Sequence, residues 1–141
     1  MDVEFSTDLS RIDRDWLWGE LTEHAYWGKY RTREMFDRQL DSAWRVVGVY
    51  DTRDGRMRGF CRAFSDEAAL AYLADVYLHR DERGRGIGTG MLRAMIDDGP
   101  GRDFRWMLHT DDAHGLYAKF GFTAANSTYM EREIRLPHVR G

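Results

Sequence analysis

Polar and apolar residues alternate at the start of the chain, where Val3 and Phe5 are flanked by Asp2, Glu4 and Ser6. A period of two predicts a short first strand. The period then lengthens. Trp16, Leu17 and Leu21, with Trp18 beside them, predict an amphipathic helix to about His24, capped by Asp13 or Asp15. The run 25–30 breaks that period and reads as a loop. Thr32 caps a second predicted helix to about Leu40, with Met35, Phe36 and Leu40 at helical spacing.

From Trp44 the pattern returns to strands. Trp44 to Tyr50 and Arg56 to Phe64 are joined by Asp54-Gly55, a hairpin signal in which both central residues would take positive φ. Ala69 to Leu78 is nearly continuous in apolar residues and reads as an interior strand. A glycine-rich turn over 83–88 opens a helix to about Asp97, stopped by Gly99-Pro100-Gly101. Phe104 to His109 is another strand. Asp112 is expected to cap a short helix that stops at Gly121, and Phe122 to Arg135 should hold one or two last strands. The expected fold is α/β, with a mixed, mostly antiparallel central sheet flanked by helices.

The segment Leu73 to Met91 carries the strongest chemical signal. Gly84, Gly86 and Gly88 let backbone approach a ligand. The helix start offers unpaired N–H groups and the positive end of a dipole, a ready seat for a pyrophosphate, and Arg83 and Arg85 add positive charge. No Gly-Lys-Ser/Thr follows, so it is not a P-loop, and the spacing is not that of the dinucleotide fingerprint.

The run Arg83-Gly84-Arg85-Gly86-Ile87-Gly88, followed by Thr89, resembles the pyrophosphate loop of the GNAT superfamily of N-acetyltransferases. Gly115-Leu116-Tyr117-Ala118-Lys119-Phe120-Gly121-Phe122 resembles the late helix of that family. The resemblance implies a single GNAT-like domain over residues 1–141 that binds acetyl-CoA as co-substrate and needs no metal. It implies that backbone groups of Val76, Tyr77 and Leu78 pair with the pantetheine arm, and that Tyr117 is the general acid on the CoA sulfur. His114, in the first turn of the late helix, would neighbour the cofactor or relay a proton. The loop residues Tyr26 and Trp27 would wall the acceptor pocket, a region that varies with substrate in this family. Homodimers are common there, but no interface signal is legible in this chain.

Asp75 stands in an otherwise apolar strand, which is costly for a carboxylate without a partner or a task. Two readings stay open: a salt bridge to an arginine, or a catalytic carboxylate that meets a cationic amine. Tyr72-Leu73-Ala74-Asp75 resembles the same strand of spermidine/spermine acetyltransferases. Ala74 replaces the first of their two adjacent acidic residues, which weakens a polyamine reading. Plain alternation would put Leu73, Asp75 and Tyr77 on one face, and a bulge near the cofactor, which the resemblance implies, would disturb that alternation. Cys61, the single cysteine, is expected to be buried and inert. His109 and His114 flank a turn with Asp111 and Asp112 but lack the tight spacing of a metal site.

The remaining composition narrows the class of partner. The chain has 141 residues, 43% of them hydrophobic, and a net charge of −3, so nothing draws it generally to nucleic acid or anionic membrane. No apolar run is long enough to span a bilayer, Met1 to Thr7 does not read as a signal peptide, and one cysteine suits a cytoplasmic setting. The expected function is transfer of acetyl from acetyl-CoA to a primary amine, of a small molecule or a peptide, in a ternary complex. The alternative is an acyl-CoA-binding or sensing domain without catalysis.

Overall fold

The computed structural model describes residues 2–25 and 31–135. Two helices start where the sequence places their caps. The Asp13 carboxylate accepts from the Trp16 N–H at 3.0 Å and opens α1 (Arg14–His24). The Thr32 hydroxyl accepts from the Met35 N–H at 3.2 Å and opens α2 (Arg33–Asp41). Replacing Thr32 with alanine is expected to cost about 1 kcal/mol, read as a lower urea midpoint at unchanged slope.

Five strands, β1 (Val3–Ser6), β2 (Arg45–Asp51), β3 (Met57–Ser65), β4 (Leu70–Leu78) and β5 (Arg105–Met107), form one sheet in chain order. The first four pair antiparallel, and β5 runs parallel to β4. In chain order α3 (Ile87–Met95) precedes β5, and α4 (His114–Ala118) follows it. The chain divides into two compact units, residues 1–109 with the sheet and α1 to α3, and residues 110–141 with α4.

The alternation in β2 and β3 sorts the core of the first unit. Val46, Tyr50 and Phe60 join Leu17 and Leu21 of α1 and Phe36 and Leu40 of α2 in one buried cluster. Val47, Val49 and Cys61 point to the opposite side of the sheet and are fully buried. There α3 lies against β1, β2 and β3, with Ile87, Met91, Leu92 and Met95 buried. This is the expected mixed α/β fold.

Three local expectations change. The hairpin between β2 and β3 has positive φ only at Gly55, at +74°, and not at Asp54. It closes as a longer loop, with the Gly55 N–H donating to the Asp51 carbonyl and the Arg56 N–H to the Asp54 carboxylate. Asp112 does not cap α4. Ala113 occupies that position without a side-chain cap, and the Ala113 N–H donates to the Thr110 hydroxyl instead. Gly121 does provide the left-handed stop, at φ +86°. Among the described residues no strand forms over 122–135. Tyr129, Met130 and Ile134 are 51%, 92% and 49% exposed, so the alternation has no buried face to fix a register.

Candidate active site

The site is built along β4. Opposite β3, Arg62 faces Ala74 and Phe60 faces Tyr77, so Cys61 alone opposes both Asp75 and Val76. This two-against-one count is a β-bulge. Asp75 sits there at φ +54°, a left-handed conformation costing an L-residue roughly 1–2 kcal/mol.

The bulge also corrects the expected facing. Ala63 pairs with Leu73 on the α3 side, whereas Arg62 and Phe60 face α1 and α2. The extra residue turns Asp75 away from Leu73 and toward Arg62. The Arg62 Nε donates to the Asp75 Oδ2 at 2.7 Å, and the Arg31 Nη1, just before α2, donates to the same oxygen at 2.7 Å. Asp75 is 8% exposed. Burial opposes its charge, but the guanidinium groups of Arg62 and Arg31 outweigh it and hold the carboxyl below its ordinary value. Of the two sequence readings, the ion-paired one describes what this carboxylate touches. Arg62 carried a usable signal, a lone cation inside the apolar run Phe60 to Phe64; Arg31 carried none.

β4 parts from its parallel neighbour before it reaches the bulge. β5 pairs only with Leu70, Ala71 and Tyr72, and among the described residues no strand takes the same edge from Leu73 to Leu78. Val76, Tyr77 and Leu78 lie on this stretch. The Tyr77 ring is buried in the α1 and α2 cluster, and its hydroxyl donates to Glu20 Oε1 at 3.2 Å. Burial and the nearby Glu20 push that phenol up to about 12. His24 and His79 also approach Glu20, and with Arg80 and Arg83 these residues line a cleft of about 230 Å³.

The chain then makes a short 3-10 turn, Arg80–Glu82, and the glycine turn begins. Gly84 and Gly86 lie at φ +79° and +78°, which only glycine adopts without strain. No atom lies within 4 Å of where a Cβ would stand on either, so the space beside the turn is open. Gly86 is the N-cap of α3, with no side-chain cap, and the first N–H bonded within the helix is that of Gly90. The N–H groups of Ile87, Gly88 and Thr89 therefore head α3 together with its positive dipole end. The helix starts at Ile87, two residues earlier than a turn over 83–88 implies, which puts Ile87 and Gly88 inside it. Arg83 is braced by a 3.0 Å bond from its Nε to the Leu78 carbonyl. Arg85 is tied to Glu82 at 2.8 Å, and Glu82, 7% exposed, also accepts from Arg58 at 3.0 Å. No local pattern in the chain points to this buried glutamate.

In the second unit His114 is the first residue of α4. Tyr117 is 7% exposed, and its ring meets Phe122 edge-on at 5.9 Å. Tyr26 and Trp27 lie outside the described residues. Cys61 is fully buried and burial pushes its thiol up, so it is no nucleophile. Among the described residues no three His, Cys, Asp or Glu side chains gather as a metal site, and no helix is long and apolar enough to cross a membrane.

The mixed α/β fold that carries these features is one that acetyltransferases adopt, as solved structures bear out. A GNAT-family protein from Xanthomonas campestris pv. campestris is 34% identical over 94% of this chain and 93% of its own, with a TM-score of 0.86. A protein from Deinococcus radiodurans R1 described as an acetyltransferase is 26% identical over 93% of this chain and 89% of its own, TM-score 0.72. An acetyltransferase from Clostridium acetobutylicum, solved with acetyl-CoA, shares the fold at 16% identity over 93% of this chain and 96% of its own, TM-score 0.66. The model of the acetyltransferase (GNAT) family matches residues 14–122, and the chain belongs to that family. A search of curated protein sequences finds no match.

Proposed function

We propose that residues 1–141 act as one N-acetyltransferase domain that moves acetyl from acetyl-CoA directly to a primary amine of a small molecule or peptide, both substrates being bound together. The observation that carries this reading is the junction of the open β4 edge with the glycine turn. An extended pantetheine arm can pair with backbone groups of Val76, Tyr77 and Leu78 as an added strand would. The N–H groups of Ile87, Gly88 and Thr89, with the cation of Arg83, suit the pyrophosphate that follows. Gly84 and Gly86 keep Cβ atoms out of the approach, and Arg85, neutralised in part by Glu82, steadies the turn. The co-substrate supplies an activated acyl group, so metal and covalent enzyme intermediates are not needed.

The chain's own residues then share the remaining tasks. A carboxylate held below its ordinary value takes up protons weakly, so Asp75 serves here by fixing the bulge rather than as a base. The bulge in turn can aim the Val76 N–H at the developing oxyanion. Tyr117 donates the proton that the departing thiolate takes up, and His114 stands beside the cofactor, both as the family resemblance implies. Tyr26 and Trp27 contribute to the acceptor wall.

The test pairs calorimetry with thiol release. Gly88 is the better variant site than Gly86, because its φ is helical and a Cβ there meets only Leu78 Cδ2 at 3.9 Å. Gly88→Val is expected to keep the melting temperature and to weaken acetyl-CoA at least about tenfold, or 1.4 kcal/mol. Undiminished affinity in the folded variant would remove the turn from the site. If the wild type binds acetyl-CoA yet releases no thiol with any aliphatic, aromatic or α-amino amine, the chain is an acyl-CoA-binding domain.

A further inference from the structure

The acceptor amine must lose a proton before it attacks, and the residues assigned so far leave that task open. A protonated alkylamine has a pKa near 10.4, so at pH 7 only about one molecule in 10³ carries the lone pair. Asp75 is locked by Arg31 and Arg62, Cys61 is sealed, and the Tyr77 phenol is pushed up to about 12. The Glu20, His24 and His79 group lies in the cleft beside Arg80 and Arg83, past the C-terminal end of β4. One further titratable pair stands on the other side of the bulge, where β4 and β5 separate.

That pair is Tyr72 and His109. Tyr72 is the last residue of β4 opposite β5, facing Met107. His109 follows Met107 by two residues. β5 and its ladder end at Met107, so His109 lies two residues past the last paired position, at the end from which β4 runs on to the bulge at Asp75. The Tyr72 hydroxyl and the His109 Nδ1 share a hydrogen bond, and the two rings lie 5.8 Å apart. Phe64 stacks on the other side of Tyr72 at 5.1 Å and 14° and is 49% exposed. The row Phe64, Tyr72, His109 thus runs across the strands on the Arg62 side of the sheet, with the imidazole exposed at its end.

We propose that His109 is the base that deprotonates the acceptor amine, with Tyr72 as its positioning residue. The inference rests on the acetyl-transfer reading above. The Nδ1–H donates to the Tyr72 oxygen, which fixes the tautomer and leaves the lone pair on Nε2. The ammonium gives one proton to Nε2, making an imidazolium. The freed nitrogen pair forms the C–N bond to the thioester carbon. The C–S bond breaks with its electron pair on sulfur, and the second nitrogen proton ends on that sulfur. His109 returns the first proton to solvent, so the balance is amide, free thiol and one released proton. The flat face of Phe64 and Tyr72 beside the base suits an amine carried on an apolar or aromatic body.

Two measurements test this. Nitrogen-15 NMR of the histidine rings near pH 8, with His109 assigned by its loss in His109→Gln, is expected to show the Nδ1–H tautomer. The Nε2–H tautomer would overturn the proposal whatever the activity. In parallel, His109→Ala is expected to lower kcat roughly 30-fold for the amine that the wild type turns over fastest, with acetyl-CoA affinity unmoved and added imidazole restoring part of the rate. Tyr72→Phe should lower kcat about threefold at unchanged KM and shift the ring toward the other tautomer. Wild-type kcat in His109→Ala would sink the base while leaving acetyl transfer standing. A wild type that does not bind acetyl-CoA would sink both.

Discussion

Replacing Asp75 with alanine is expected to destabilise the fold by about 3–5 kcal/mol, the largest effect foreseen for a single substitution here. The cost does not measure the worth of the ion pairs themselves. It arises because the side chains of Arg31 and Arg62, 1% and 10% exposed, would be left with charges whose shared carboxylate is gone. The bulge is held by the same contacts, so acetyl-CoA affinity should fall with stability. Asp75→Asn, which keeps shape and loses charge, separates the effects of acid. In the folded protein the carboxyl binds its proton less readily than at its ordinary value of 3.8. Its stabilisation is therefore complete above that value and is lost as pH falls below it. Melting curves from about pH 7 to about pH 3 should show a steep acid fall in the wild type and a shallower one in Asp75→Asn. Parallel curves, or an Asp75→Ala variant as stable as wild type, would mean that the ion pairs do not form.

Tyr117→Phe is expected to lower kcat by about 10²-fold with little change in stability. The substitution removes one hydroxyl and keeps the ring that meets Phe122 at 5.9 Å. A residue that acts only as the leaving group departs should leave KM for both substrates near wild type while kcat and kcat/KM fall together. Single-turnover mixing isolates the chemical step from product release. An unchanged single-turnover rate would reduce Tyr117 to a packing residue, and the thiolate would then take its proton from water.

How much of this was legible in the sequence depends on distance along the chain. Asp13, Thr32 and Gly121 each mark a helix end through a contact with a residue at most a few positions away; Thr32 and Gly121 were read outright and Asp13 as one of two candidates. The glycines of the turn were read for the same reason, because a left-handed backbone leaves its mark on residue type. The facing of Asp75 was not readable. Period two is a rule for an uninterrupted ladder, and the interruption depends on Cys61 opposing two residues instead of one. Its partner Arg31 lies 44 positions upstream, and no local pattern connects them. Glu82 was hidden likewise, since a glutamate amid Arg80, Asp81 and Arg83 reads as solvated surface although it bridges Arg58 and Arg85. The segment 122–135 failed for the opposite reason, an alternating pattern without a buried face to use it.

The bulge has a further consequence for how this gene can change. β4 is in effect two half-strands read in opposite phase, with Ala71 and Leu73 set for the α3 side and Tyr77 for the α1 side. Losing a single codon at position 75 or 76 would merge the phases and turn Tyr77 out of its cluster with Phe60. The glycine turn would then begin from the wrong face of the sheet. The same deletion in the loop between β2 and β3, where Asp54 and Arg56 are exposed, alters no phase downstream. Length variation in this chain should therefore be tolerated at that hairpin and purged at the bulge, so that the spacing from Leu73 to Gly84 stays fixed even where the side chains between them vary.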